Sequence, residues 1–157
     1  METILQDANL TMPKRTRASV LRDKVVVRLA LDGMGVEIAS ILKANGVELP
    51  GADWSRVFPH WLIATTGDEV IGCLMVLPAK PIAYCECLFV KPGVSFKLRA
   101  IAVRKLILQG ISTAFHNGSS YVACNVDFGN EKFENVLEKL NVLRMSERTL
   151  FVKRLKD

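Results

Sequence analysis

Glu86 stands inside an otherwise apolar run, Ala83-Tyr-Cys-Glu-Cys-Leu-Phe-Val90. A carboxylate there is costly unless it is paired or faces a wet cleft, so it is a candidate general base, with a structural ion pair as the competing role. Just beyond it, Lys91, Lys97, Arg99, Arg104 and Lys105 lie in a stretch, Cys87 to Val126, without a single Asp or Glu. Such a local positive field favours an anionic partner, a phosphate-bearing ligand above all, without requiring nucleic acid. The competing role for these cations is the solvated face of an amphipathic helix. Cys73, Cys85, Cys87 and Cys124 all fall in apolar, strand-like segments and read as buried thiols. Cys85-x-Cys87 could suggest zinc, but His60 and His116 are the sole imidazoles and neither sits in a paired ligand motif, so no metal site is expected. No nucleophile has an evident base beside it.

These residues need elements to position them. Val25 to Ala30 is β-branched and reads as a strand; Asp32 offers an N-cap to a helix running to about residue 45, with Asn45-Gly46 as its left-handed stop. Ala52 to Phe58 could add one or two helical turns. Trp61–Thr65 and Val70–Leu77, separated by a Gly67-Asp68 turn, should pair antiparallel. Ala83–Val90 is the next strand, Leu98–His116 a long helix closed by Asn117-Gly118, and Tyr121–Val126 a further strand. Strand, helix and strand in series imply a right-handed crossover between parallel neighbours, whose ligands sit at the strand ends facing the helix N-terminus. The loop from 91 to 99 is that place. Asn130 can cap a last helix with Phe133, Val136, Leu137 and Leu140 on one face and Asn141 at its end; Leu143–Met145 and Leu150–Leu155 could close the chain as a hairpin.

The 157 residues, half of them apolar, suit one domain from 25 to 157, preceded by a basic arm, 1 to 24, carrying Lys14, Arg15, Arg17, Arg22 and Lys24. With a net charge of +5, no signal-peptide pattern and no membrane-length apolar run, the chain is expected in the cytoplasm and not in a membrane. The arm lacks interleaved aromatics, which argues against a nucleic-acid partner.

In this order of elements the chain resembles the GNAT superfamily of N-acetyltransferases, from about Val25 to the C-terminus. Glu69-Val70-Ile71-Gly72 looks like the family's third strand, and Val90-Lys91-Pro92 like the Val-x-Pro that ends its fourth. Lys97-Leu98-Arg99-Ala100-Ile101-Ala102 is similar to the cofactor signature, with Ala100 where the family has Gly. Asn130-x-x-Phe133-x-x-x-Leu137-x-x-x-Asn141-Val142 matches the spacing of the family's Asn-x-x-Ala-x-x-x-Tyr-x-x-x-Gly-Phe, with Leu137 in place of the Tyr that protonates the departing thiolate.

The resemblance implies an α/β fold with a mixed, mostly antiparallel central sheet of about six to seven strands and helices on both faces. It implies acetyl-CoA as cosubstrate, no metal, and transfer to a primary amine of a small molecule or protein by direct attack. Glu86 would be the base; Leu88, Phe89 and Val90, the segment Lys97 to Ala102 (Lys97, Leu98, Arg99, Ala100, Ile101, Ala102), and Asn130 with Phe133 would hold the cofactor, and a backbone N–H near Phe89 would stabilise the oxyanion. Tyr121 and Ser146 are candidate acids in the absence of a Tyr at 137. The alternative, suggested by Ala100, Leu137 and the longer loop between Val90 and Lys97, is a catalytically inactive GNAT-fold protein with a structural or protein-binding role; such a domain is similar to ones encoded by phages, and the location would then be host cytoplasm or virion. A homodimer or larger assembly is compatible with either. Substrate contacts are expected from 46–60 and 143–149, with Trp54, Arg56, Glu147 and Arg148.

Overall fold

The computed structural model describes residues 24–47, 60–125, 131–144 and 150–154. In chain order these form β1 (Val25–Leu29), α1 (Gly35–Ala44), β2 (Trp61–Thr66), β3 (Glu69–Leu77), β4 (Ile82–Val90), α2 (Phe96–His116), β5 (Tyr121–Asn125), α3 (Glu131–Lys139), β6 (Leu143–Arg144) and β7 (Leu150–Arg154). The strands make one sheet in the order β1-β2-β3-β4-β5-β7-β6. Every pairing is antiparallel except β4 with β5, the pair joined through the α2 crossover.

Alternation along the strands divides the apolar side chains between two faces. Leu62 and Ala64 of β2 join a cluster with Ala102, Leu106 and Ile107 of α2 and Leu137 of α3. Their neighbours Trp61 and Ile63 join Ile38, Ile41 and Leu42 of α1 on the opposite face. Helices therefore cover both sides, as expected. Gly110 lets α2 lie close on the sheet, since a Cβ there would stand 2.8 Å from Leu74 Cδ2 and 3.2 Å from Cys85 Sγ.

All three helices end in the same way. At the end of α1, Val47 N–H donates to Leu42 O at 3.0 Å and Gly46 N–H to Lys43 O; Ser119 and Gly118 do the same for α2, and Val142 and Asn141 for α3. This is the Schellman pattern, which needs a left-handed residue just past the helix. Gly46 (φ 77°) and Gly118 (φ 79°) supply it twice, and Asn141 (φ 57°) supplies it where glycine is missing, as its short polar side chain allows.

The helix starts depart from expectation. Asp32 lies in a turn and α1 begins at Gly35 after Met34, with no side-chain cap. The long helix begins two residues earlier than expected, at Phe96, because Ser95 caps it: its Oγ accepts from Leu98 N–H at 3.5 Å. The expected arm from 1 to 24, apart from Lys24, and the expected turns at 52–58 lie outside the described residues.

Candidate functional site

The site grows from an interruption in β4. Along β3 the pairing runs Cys73 with Phe89 and then Met75 with Glu86, so Cys87 and Leu88 together oppose Leu74 alone. That is a β-bulge, and Cys87 takes a positive φ of 53° to make it. The bulge reverses the alternation. Ala83 and Cys85 face α2 before it, Leu88 and Val90 face α2 after it, and Cys87 and Phe89 pack towards α1. Gly72 sits against the end of this segment, where a Cβ would meet Phe89 O at 3.0 Å.

On its other edge β4 pairs with β5 over four rungs, Ile82 with Tyr121 through Cys85 with Cys124, and no further. Beyond Cys85 the two parallel strands part, and β5 ends at Asn125. A cavity of about 340 Å³ fills the gap. Leu74, Cys85 and Ile107 line it from the α2 side, Cys87 and Phe89 from the α1 side, Asn125 from the end of β5 and Phe133 from α3. Because its walls come from both faces, the cavity is a slot through the sheet. Glu86 and Leu88 are on its wall, half-buried.

Burial and neighbours tune the thiols around it. Cys85 and Cys124 are partners on one rung: interaction with the Cys124 side chain and then burial hold the Cys85 proton well above the ordinary thiol range, while interaction with Cys85 draws Cys124 down. Cys87 is pushed up, first by burial and then by the Glu86 charge. Cys73, across the sheet, is pushed up to about 12, chiefly by burial.

From the end of β4 the chain leads to the start of α2. Lys91 N–H donates to Ile71 O at 2.8 Å, Asn45 Nδ2 donates to Val90 O at 3.3 Å, and Gly93 turns the chain with φ 86°. Arg99 N–H makes the first α-type bond, to Ser95 O at 2.9 Å, and Ser95 Oγ takes Leu98 N–H. The amides of Phe96 and Lys97 thus head the helix ahead of its first intrahelical bond, at the positive end of a 21-residue dipole with no acid in the first turn. Ala100, Ile101 and Ala102 lie one turn further in, where amides are spent inside the helix, and Ala102 is buried against the sheet. Lys97 and Arg99 are exposed beside the helix start, as is Phe96 at 80%.

The remaining cations of the acid-free stretch are turned elsewhere. Lys91 pairs with Glu69 at 2.6 Å, Lys105 Nζ donates to Val25 O at 2.6 Å, and Arg104 lies on the outer face of α2 beside Ile101 and Leu108. Leu137, expected from the resemblance to replace a Tyr, is fully buried in the core. Tyr121 opens β5, half-buried; His116 Nδ1 lies 2.7 Å from Ser112 O at the far end of α2, and His60 precedes β2. Asn130, Ser146, Trp54, Arg56, Glu147 and Arg148 lie outside the described residues. Among the described residues no group of three or more His, Cys, Asp or Glu could hold a metal ion, and no helix is long and apolar enough to cross a membrane.

The sequence brought Glu86, Leu88, Phe89 and Phe133 to attention, and the slot gathers these four. It did not single out the bulge, the Cys85–Cys124 rung or the Ser95 cap. The bulge had a signal: apolar residues that share the α2 face fall at 83, 85, 88 and 90, a one-residue slip in a period of two.

Neither a protein-family model nor a curated protein sequence matches the chain. Solved structures do. N-acetylglutamate synthase from Neisseria gonorrhoeae, complexed with coenzyme A and L-arginine, superposes with a TM-score of 0.66 at 17% identity over 85% of this chain. The match spans only 34% of that protein's length. The NatC complex bound to Gag peptide and CoA contains a chain matched at TM-score 0.67 and 13% identity, over 85% of this chain and 99% of that one. A GNAT-family acetyltransferase from Staphylococcus aureus Mu50 matches at TM-score 0.66 and 9% identity, over 84% and 99%. At such identities the likeness is one of fold: the chain has the α/β architecture of the GNAT acetyltransferases.

Proposed function

We propose that this protein is an N-acetyltransferase that moves the acetyl group of acetyl-CoA to a primary amine by direct attack. The observation that carries the reading is the slot opened where β4 bulges and parts from β5, next to a helix start free of acidic side chains. A slender acyl-pantetheine arm suits such a slot, and a pyrophosphate suits the Phe96 and Lys97 amides with the Lys97 and Arg99 side chains near them. Those residues extend the expected cradle, Lys97 to Ala102, by one position towards the N-terminus. That N-acetylglutamate synthase and NatC were each solved with coenzyme A bound is consistent with this.

In this reading Leu88, Phe89 and Val90 align the arm by backbone contacts, Asn130 and Phe133 flank it, and Glu86 takes the proton of the attacking amine, directly or through water. A β4 amide released by the bulge polarises the thioester carbonyl as negative charge develops on its oxygen. Leu137 contributes no proton, so the thiolate leaves with help from another donor or none. Titration calorimetry with acetyl-CoA tests the cofactor: absence of heat at millimolar concentration removes the enzyme reading. Given binding, Glu86→Gln should lower the rate of acetyl transfer by on the order of 10²–10⁴ with little change in acetyl-CoA affinity. Full retained activity would remove Glu86 as base.

The buried Leu137 also favours a second reading, a GNAT-fold protein without catalysis that serves as a structural or protein-binding component, of a phage particle for example. The same titration separates the two.

A further inference from the structure

Cys85 and Cys124 stand opposite each other on the last rung where β4 and β5 still pair. Both side chains belong to the cluster on the α2 face, both line the slot, and neither is linked to another cysteine. Neighbouring strands lie about 4.8 Å apart, inside the range of roughly 4.4–6.8 Å between Cα atoms across which disulfides form. Each thiol shifts the proton affinity of the other, in opposite directions. Acetyl transfer as proposed above uses neither of them. Two thiols on one rung, both on the wall of a cavity, are a reactive unit in their own right.

We propose that Cys85 and Cys124 form a dithiol modification site for small organic disulfides that enter the slot. The Cys124 thiolate attacks one sulfur of the disulfide, forming a mixed disulfide and expelling the first organic thiolate, which takes up the proton Cys124 has given away. Cys85 then loses its proton and attacks Cys124 Sγ, and the second organic thiolate leaves with that proton. Two protein thiols are oxidised to one disulfide, and the reagent is reduced to two thiols. The product ties β4 to β5 at the mouth of their separation. Cys73, buried and absent from the slot wall, and Cys87, which lines the slot from the opposite, α1 face, stay reduced.

The test uses the full chain and 2-hydroxyethyl disulfide, followed by alkylation in denaturant and peptide mapping by mass spectrometry. The expected result is alkylation at Cys73 and Cys87 only, with a Cys85–Cys124 cross-linked peptide that dithiothreitol reverses. A Cys73→Ala/Cys87→Ala double variant should keep the cross-link, and Cys124→Ala should lose it. Alkylation at all four cysteines, a cross-link between another pair, or a mixed disulfide that Cys85 never resolves overturns the proposal. If Cys124→Ala fails to fold, the wild-type map decides alone. Acetyl-CoA is absent from the assay, so the outcome stands or falls apart from acetyl transfer.

Discussion

Cys73 has the simplest environment of the four thiols: closed in by the sheet and α1, with a weak donation to Cys87 O at 3.9 Å. Its folded pKa of about 12 lies above the ordinary 9.0, so the folded chain holds a proton that the unfolded chain gives up between those values. Its contribution to stability is complete below about pH 9 and lost as pH rises towards 12. The expected slope is roughly −1.4 kcal/mol of unfolding free energy per pH unit in that window. Cys85 and Cys87, also pushed up, add to the fall in the wild type, so urea denaturation across pH 8 to 11 should show a slope shallower by about this amount above pH 9 in Cys73→Ala, whatever the offset between the two. At this scale the sequence was informative about Glu86, because a carboxylate in an apolar strand asks for a reason. It gave the thiols as buried, which holds for Cys73, Cys85 and Cys124, but not which of them face each other, because that depends on register.

Among the elements, α2 shows how a local rule and a packing rule compete. Replacing Gly110 with Ala gains about 1 kcal/mol of helix propensity. The new Cβ, however, would press on Leu74 and Cys85, both core residues and both walls of the slot. Overpacking of this kind costs about 1–3 kcal/mol, so Gly110→Ala should lose about 1 kcal/mol net, read from the urea midpoint. A second substitution addresses α3. Leu137→Tyr introduces the residue of the GNAT pattern that the sequence resembles, yet the position is closed on all sides. We expect a loss of about 1–3 kcal/mol in stability and no gain in acetyl transfer, since the hydroxyl has no path to the slot without repacking. A rate increase with unchanged stability would contradict this placement.

The helix ends were legible because Asn-Gly and Asn-Val carry the left-handed residue in their own chemistry. The helix starts were less so: Asp32 offers a cap that the fold does not use, and Ser95 has Leu98, not Glu or Gln, three residues on, so the capping-box signature is missing.

At the level of the whole molecule, the order of elements and the crossover between β4 and β5 could be read from periodicity and turn residues, since those are local. How far β4 and β5 stay paired could not, because it depends on a bulge in one strand and the end of the other. That short seam has a mechanical consequence. The sheet consists of two blades, β1–β4 and β5–β7–β6, joined edge to edge by four rungs and bridged by α2. β3 is paired along its length on both sides, whereas β5 meets the first blade only through the seam. Amides of β5 should therefore exchange with deuterium about tenfold faster than those of β3, an opening free energy roughly 1.4 kcal/mol lower. Equal rates would mean that the sheet opens as one body. A ligand lodged in the slot would touch both blades at once, acting as a wedge that sets their angle and couples the breathing of one to the other.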